Sequence, residues 1–197
     1  MLKKNEWVYR QILTGTEEEK KTRFTQLELS KHFKISLSTV NNALEPLERM
    51  GSISKHQRYF SVIDRKKVLL YWATVRNLQK DIIYSTRMNA LIKEIENSVP
   101  SDAVFTAYTA YKLLYKETPA DYSEVYFYLP QTSLPEVKER FPESKGPPNV
   151  FVLEGDPFLF RREQHTVPVP QLYVDLWNLK EWYAQEFLNA LEKRLKL

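Results

Sequence analysis

Thr25-Gln26-Leu27-Glu28-Leu29-Ser30-Lys31-His32-Phe33-Lys34-Ile35-Ser36-Leu37-Ser38-Thr39-Val40-Asn41-Asn42-Ala43-Leu44-Glu45-Pro46-Leu47-Glu48-Arg49-Met50-Gly51 reads as two helices joined by a tight turn. Thr25 with Glu28 three residues on has the form of a capping box, which opens a short helix with Leu27 and Phe33 inward. Lys34-Ile35-Ser36 is the turn, with Ile35 as its apolar plug, and Ser36 caps the next helix. In that second helix Val40, Leu44 and Leu47 recur at helical spacing and form the buried stripe. Ser38, Thr39, Asn42 and Arg49 lie off the stripe. Gly51 closes the helix as a left-handed terminator. Pro46 removes one helical hydrogen bond and leaves the direction of the last turn open.

Outward from this stretch the pattern continues. Ser52–His56 and Tyr59–Ile63 alternate in polarity around Gln57-Arg58, which predicts a hairpin. Upstream, residues 5–14 place Trp7, Val8, Ile12 and Leu13 on one helical stripe with Asn5 as cap, and Gly15 to Lys21 reads as a loop or a solvated helical extension. Downstream, Asp64 caps a helix with Val68, Leu69, Trp72 and Val75 inward. Its Arg65, Lys66 and Lys67 either touch phosphates or form a solvated face. Helix, short helix, turn, long helix, hairpin is the order of a winged helix-turn-helix. Such a motif buries one face of its second helix and offers small polar side chains to the major groove, about 12 Å wide. Asn pairs with adenine in two hydrogen bonds, and Ser or Thr reads a base or a phosphate. The expected DNA contacts are therefore Thr25, Ser36, Ser38, Thr39, Asn41 and Asn42, with Lys55, His56 and Arg58 of the hairpin on backbone or minor groove. Glu45 sits near this face and repels phosphate unless it accepts from a cytosine amino group.

Charge agrees with that reading. Residues 1–80 carry 16 Lys/Arg against 8 Asp/Glu, whereas residues 81–197 carry 13 against 17. A basic half joined to an acidic half suggests a polyanion-binding module carried by something else. There is no cysteine, which excludes disulfides, thiolate catalysis and zinc fingers. No run approaches the ~20 apolar residues of a membrane span, and the N-terminus lacks the pattern of a secretory signal, so a cytoplasmic protein without membrane contact is expected.

The second half, residues 81–197, reads as an α+β domain with a small mixed sheet. Ser85 or Thr86 caps a helix over 87–98, with Met88, Leu91, Ile92 and Ile95 inward. Val104–Thr106, Glu124–Leu129 and Asn149–Leu153 are strands, and Phe158–Phe160 is a candidate further one. Ala107–Tyr115, Leu134–Phe141, Tyr173–Trp177 and Lys180–Leu195 are helices. Tyrosines crowd this half (Tyr108, Tyr111, Tyr115, Tyr122, Tyr126, Tyr128, Tyr173, Tyr183), as core with hydroxyls at its edge or as the lining of a pocket. Gln171 and Asp175, four apart on a helix, either face a cleft or lie solvated at the surface.

Two resemblances follow. Thr25–Phe33, Ile35–Leu44 and Leu47–Ile53, with S-x-S-T-V and L-x-x-M-G-x-I as their cores, look like the winged-helix module of bacterial and archaeal transcriptional regulators. The whole chain resembles the AbiEi-like regulators, the antitoxin and autorepressor component of type IV toxin–antitoxin systems. The residues are Val104–Tyr111, Tyr126–Leu129, Asn149–Leu153 and Pro170–Leu176. That resemblance implies a degenerate nucleotidyltransferase-like second domain, promoter binding and a cognate toxin as partner. A working nucleotidyltransferase needs a Gly-Ser turn followed by paired carboxylates that hold Mg²⁺, and no such turn or Asp-x-Asp pair is present. His32, His56 and His165 lack metal-ligand spacing. No catalytic residue, metal site or cofactor is expected.

The sequence thus reads as a DNA-binding domain over 1–80 and an α+β regulatory or interaction domain over 81–197. It predicts a sequence-specific transcriptional regulator whose partner is double-stranded DNA. The alternatives are a winged-helix regulator that senses a small-molecule effector, and a winged helix that docks a protein without binding DNA.

Overall fold

The structure is a computed structural model that describes residues 1–162 and 164–197. It is a mixed α+β fold with ten α-helices and two small sheets among the described residues. The chain divides into two compact units, and not by a simple cut between residues 80 and 81. One comprises Leu2–Arg76 with Pro168–Val174, and the other Met1, Asn77–Val167 and Asp175–Leu197. No described helix is long and apolar enough to cross a membrane.

The first unit starts with α1 (Lys4–Glu17). Its cap is Lys3 rather than Asn5, because Glu6 reaches back and accepts from the Lys3 backbone N–H at 2.9 Å. The helix runs through Gly15 to Glu17, so of the two alternatives for this stretch the helical extension holds as far as Glu17. Next come α2 (Gln26–Phe33) and α3 (Leu37–Arg49). Thr25 Oγ1 accepts from Glu28 N at 3.0 Å and Ser36 Oγ from Thr39 N at 3.0 Å, so both caps form as the sequence predicts. Between them Lys34 turns the chain at φ 53°, and Ile35 is buried. One expectation for α2 fails: Leu29 is buried with Phe33, whereas Leu27 is 53% exposed. Residues 29 and 33 are one turn apart and share a stripe, which residue 27 misses.

Val40, Ala43, Leu44 and Leu47 of α3 are fully buried. Pro46 does not end the helix. Gly51, at φ 68°, does, with Gly51 N donating to Glu48 O and Ser52 N to Leu47 O, each at 2.9 Å. The hairpin β1 (Ile53–Lys55) and β2 (Phe60–Val62) follows, antiparallel, closed by His56 N on Tyr59 O at 2.8 Å. Phe24 adds a rung by exchanging two backbone hydrogen bonds with Phe60. Helix α4 (Arg65–Val75) is capped by Asp64 as predicted and buries Val68, Leu69 and Trp72, but Val75 is exposed. The Trp72 indole donates to the buried Glu6 at 3.1 Å, which fixes α4 on α1 through a satisfied polar pair.

The second unit is built on a four-stranded sheet of β3 (Ile82–Thr86), β4 (Val104–Thr106), β5 (Val125–Leu129) and β6 (Val150–Glu154), in the order β3-β6-β5-β4. β5 and β6 are parallel, and both outer pairs are antiparallel. Ser85 and Thr86 therefore lie in a strand and cap no helix. The helix expected from Arg87 is the shorter α5 (Ile92–Ser98), and Leu91 is exposed. Helices α6 (Ala107–Tyr115), α7 (Leu134–Arg140) and α10 (Trp182–Leu195) stand where expected, whereas α9 (Val169–Trp177) begins four residues before Tyr173 and its residues up to Val174 belong to the first unit. Phe158–Phe160 is not a strand but part of the short helix α8 (Pro157–Phe160), capped by Asp156.

Strand alternation divides the sheet's side chains. Tyr84, Val125, Phe127, Leu129, Val150 and Val152 pack with Ile95, Val137 and Phe141 on one face. Thr106, Tyr126, Tyr128 and Phe151 point to the other, where Tyr126 lies 6.1 Å from Tyr108 and Tyr108 lies 5.0 Å from Phe187 of α10. Tyr108, Tyr111, Tyr128 and Tyr173 are fully buried, so most of the tyrosine crowd is core.

Gln171 and Asp175 are neither solvated nor at the surface. Within the first unit Arg10 donates to Gln171 at 3.0 Å. Within the second, the buried Asp175 carboxylate accepts from Thr106 Oγ1 and from Tyr128 OH, each at 2.8 Å.

Candidate nucleic-acid interface

Each residue singled out in the first unit is at least partly exposed, but they divide into three kinds. The first kind spends its polar atoms on the fold. Thr25 caps α2, and the Ser36 and Thr39 hydroxyls hydrogen-bond each other at 2.9 Å while Ser36 caps α3. Any contact these three make outward competes with a cap worth roughly 1 kcal/mol.

The second kind is free. Ser38 and Asn42 are exposed and their side chains hold no hydrogen bond among the described residues. Helical spacing puts Ser38, Asn41, Asn42 and Glu45 on one face, opposite the buried Val40–Leu44–Leu47 stripe. From Leu37 to Leu44 this face carries no charge. Asn41 is linked to the hairpin, because Lys55 Nζ donates to its Oδ1 at 3.3 Å.

The third kind is the hairpin. His56 and Arg58 are exposed, and Arg58 makes no ion pair among the described residues. The His56 ring stacks on Tyr59 at 4.5 Å, and the Arg23 guanidinium covers the Tyr59 ring at 4.7 Å. Lys55 pairs with Glu48 at 2.6 Å, so its charge is matched within the free protein. Glu45 is matched too, by Arg49 at 2.5 Å one turn on. Local charges thus cancel along the second half of α3, and Arg23 and Arg58 remain as the cations of the hairpin side. Arg65 pairs with Glu17 at 2.5 Å and Lys67 Nζ donates to Met50 O at 3.4 Å, while Lys66 is exposed at the start of α4.

Thr25, Lys55, His56 and Arg58 line one groove of about 300 Å³ with Leu27, Leu37 and Tyr59. The structure therefore gathers the hairpin residues and Thr25 around the start of α3. Ser38 and Asn42 lie on the adjoining outer face of that helix, outside the groove. Leu37, Tyr59 and Arg23 were missed by sequence reasoning. Leu37 carried a legible signal, since the first residue after a cap lies off the stripe set by Val40 and Leu44. The pairing of Glu48 with Lys55 depends on the hairpin lying beside α3, and that of Arg23 with Tyr59 on the segment before α2 meeting the hairpin, which no local pattern encodes.

Among the described residues no group of three His, Asp or Glu is placed to hold a metal ion. At the turn from β4 to α6 the chain has Thr106-Ala107, with Ala107 at φ 51°, and β5 is entered through Glu124-Val125-Tyr126. Comparisons with protein-family models, with curated proteins and with solved structures gave no match.

Proposed function

We propose that the first unit is a winged helix-turn-helix that binds double-stranded DNA, and that the protein is a transcriptional regulator. The observation that carries this reading is the uncharged outer face of α3. Ser38 and Asn42 stand there without partners beside a hairpin whose Arg58 is unmatched. In this reading the start of α3 enters the major groove, with Asn42 on base edges and Leu37 on a thymine methyl. Arg58 and His56 lie on the phosphate backbone or in the minor groove, and Lys31 and Lys34 add exposed positive charge near the α2–α3 turn. The resemblance to AbiEi-like antitoxins extends the proposal to autorepression and a cognate toxin. A residual nucleotidyltransferase is disfavoured, since Thr106-Ala107 stands where a Gly-Ser turn is needed and Tyr126 where a second carboxylate is needed.

The test is a pair of substitutions read on duplexes selected from a random pool. Asn42→Ala relaxes base preference at one position by about 1–3 kcal/mol, whereas Arg58→Ala weakens all duplexes alike and lowers the salt slope by about 1. Unchanged affinity in both variants refutes the assignment.

A second reading has an observation of its own. Leu27 and Leu37 are 53% and 49% exposed on the same groove, as an apolar protein contact requires. It predicts that Leu27→Ser with Leu37→Ser abolishes capture of a protein partner and that no duplex is retained by the wild type.

A further inference from the structure

A second groove, of about 410 Å³, opens on the sheet of the other unit, on the face opposite its apolar core. Its floor is Tyr126 and Phe151, neighbours in register on the parallel strands β5 and β6. Their rings stack at 4.5 Å with 6° between planes. Pro147 and Pro148 form part of its wall, and Glu124, Glu181 and Lys180 bring charge to it. The volume lies in the range of small-molecule sites, and the lining mixes apolar Leu78, Ile82 and Leu179 with polar Gln79, Ser85 and Asn178.

Three features point to the ligand. Glu124 and Glu181 are half-buried carboxylates, and neither makes an ion pair among the described residues. Among the described residues the partners of these carboxylates are neutral: Glu124 accepts from Ser123 Oγ at 3.2 Å and from Tyr183 OH, and Glu181 accepts from Tyr108 OH at 3.5 Å. Second, Tyr126 is a buried residue that lines the groove, and its hydroxyl makes no hydrogen bond among the described residues. That hydroxyl is not one of the buried polar atoms left without a partner, so it opens onto the groove and can take a partner there. Third, the one cation of the lining, Lys180, is exposed at the rim and leaves the two carboxylates in excess.

We infer that this groove binds a small organic cation: an apolar body against the stacked Tyr126–Phe151 pair, and an ammonium between Glu124 and Glu181 within reach of the Tyr126 hydroxyl. Carboxylates without a matched cation favour an ammonium, most where water is excluded. All the residues belong to one unit, so the inference is independent of DNA binding.

The probe is tryptamine, set against indole-3-propionate, which keeps the ring and reverses the charge, and against MgCl₂ alone. Calorimetry on the full chain is paired with NMR shifts of the Tyr126, Phe151 and Glu181 amides. Tryptamine binds and shifts those amides, while the acid and the metal do not. Glu181→Gln and Glu124→Gln each weaken tryptamine by about tenfold or more, and Tyr126→Phe by several-fold. Equal binding of tryptamine and indole-3-propionate, a response to MgCl₂ alone, or no binding of tryptamine at millimolar concentration overturns the inference. The comparison of probes on the wild-type chain decides it even if a variant fails to fold.

Discussion

The Lys55–Glu48 pair sets up a test of the DNA reading that needs no knowledge of the target sequence. Lys55 lies on the hairpin and Glu48 on α3, 2.6 Å apart, with side chains 23% and 46% exposed. To reach a phosphate, Lys55 must leave Glu48, and Glu48 itself repels the backbone. An exposed pair of this kind is worth about 0.2–1 kcal/mol. Releasing it by Glu48→Gln should therefore tighten duplex binding by about 1.4–5-fold. The phosphate contribution is sequence-independent, so a random duplex suffices. The assay is fluorescence anisotropy over a series of KCl concentrations with wild type, Glu48→Gln, Lys55→Ala and the double variant. Lys55→Ala should flatten the dependence of log K on log[salt] by about 0.9, the increment for one phosphate contact. The gain from Glu48→Gln should vanish in the Lys55→Ala background. If the gain persists there, Lys55 is not its agent. If Glu48→Gln weakens binding at every salt concentration, the placement of this edge against DNA is wrong.

Other consequences are structural. Tyr128→Phe removes one of the two hydroxyl donors to the buried Asp175 and should cost about 1.5–3 kcal/mol in urea denaturation, with Thr106→Val coupled to it in a double-mutant cycle. Additive losses would show that the two hydroxyls do not share the carboxylate. Gly51→Ala meets no atom within 4 Å, so its cost is backbone strain alone, about 1–2 kcal/mol, and Gly51→Asn should recover part of it. Burial raises the Tyr108 and Tyr126 phenols and pushes Tyr183 up to about 12. Their contribution is whole below the unfolded phenol value of about 10 and is lost as pH rises beyond it, by about 1.4 kcal/mol per pH unit for each buried phenol. Tyr126→Phe should flatten that decline between pH about 10 and about 12, and an unchanged slope would show that the phenol is not buried in solution.

What the sequence revealed and what it hid follow one physical line. The Thr25, Ser36 and Asp64 caps and the Gly51 terminator were legible because each bonds within four residues of itself. So was the Val40–Leu44–Leu47 stripe. Strand β3 was hidden because Ser85 and Thr86 are cap residues by type, and only pairing with Phe151 and Val150 makes them strand. Asp156-Pro157 carried the local signal of a helix start at α8, but the run Phe158–Phe160 was read by apolarity instead. The burial of Asp175 and the groove lined by Tyr126 and Phe151 join residues far apart in the chain, and the Lys55–Glu48 pair crosses from a helix to a strand. No periodicity reports such contacts. The polar face of α3 was legible as a face; that Ser36 and Thr39 spend their hydroxyls on each other was not.

The most direct measurement is an NMR titration of the full chain with a duplex recovered from a random pool. If α3 and the hairpin carry the DNA contact, amide shifts concentrate at Leu37, Ser38, Asn41 and Asn42 and at His56–Arg58, and they fade as KCl is raised. Shifts confined to other surfaces, or a chain that recovers no duplex at low salt, would contradict that placement.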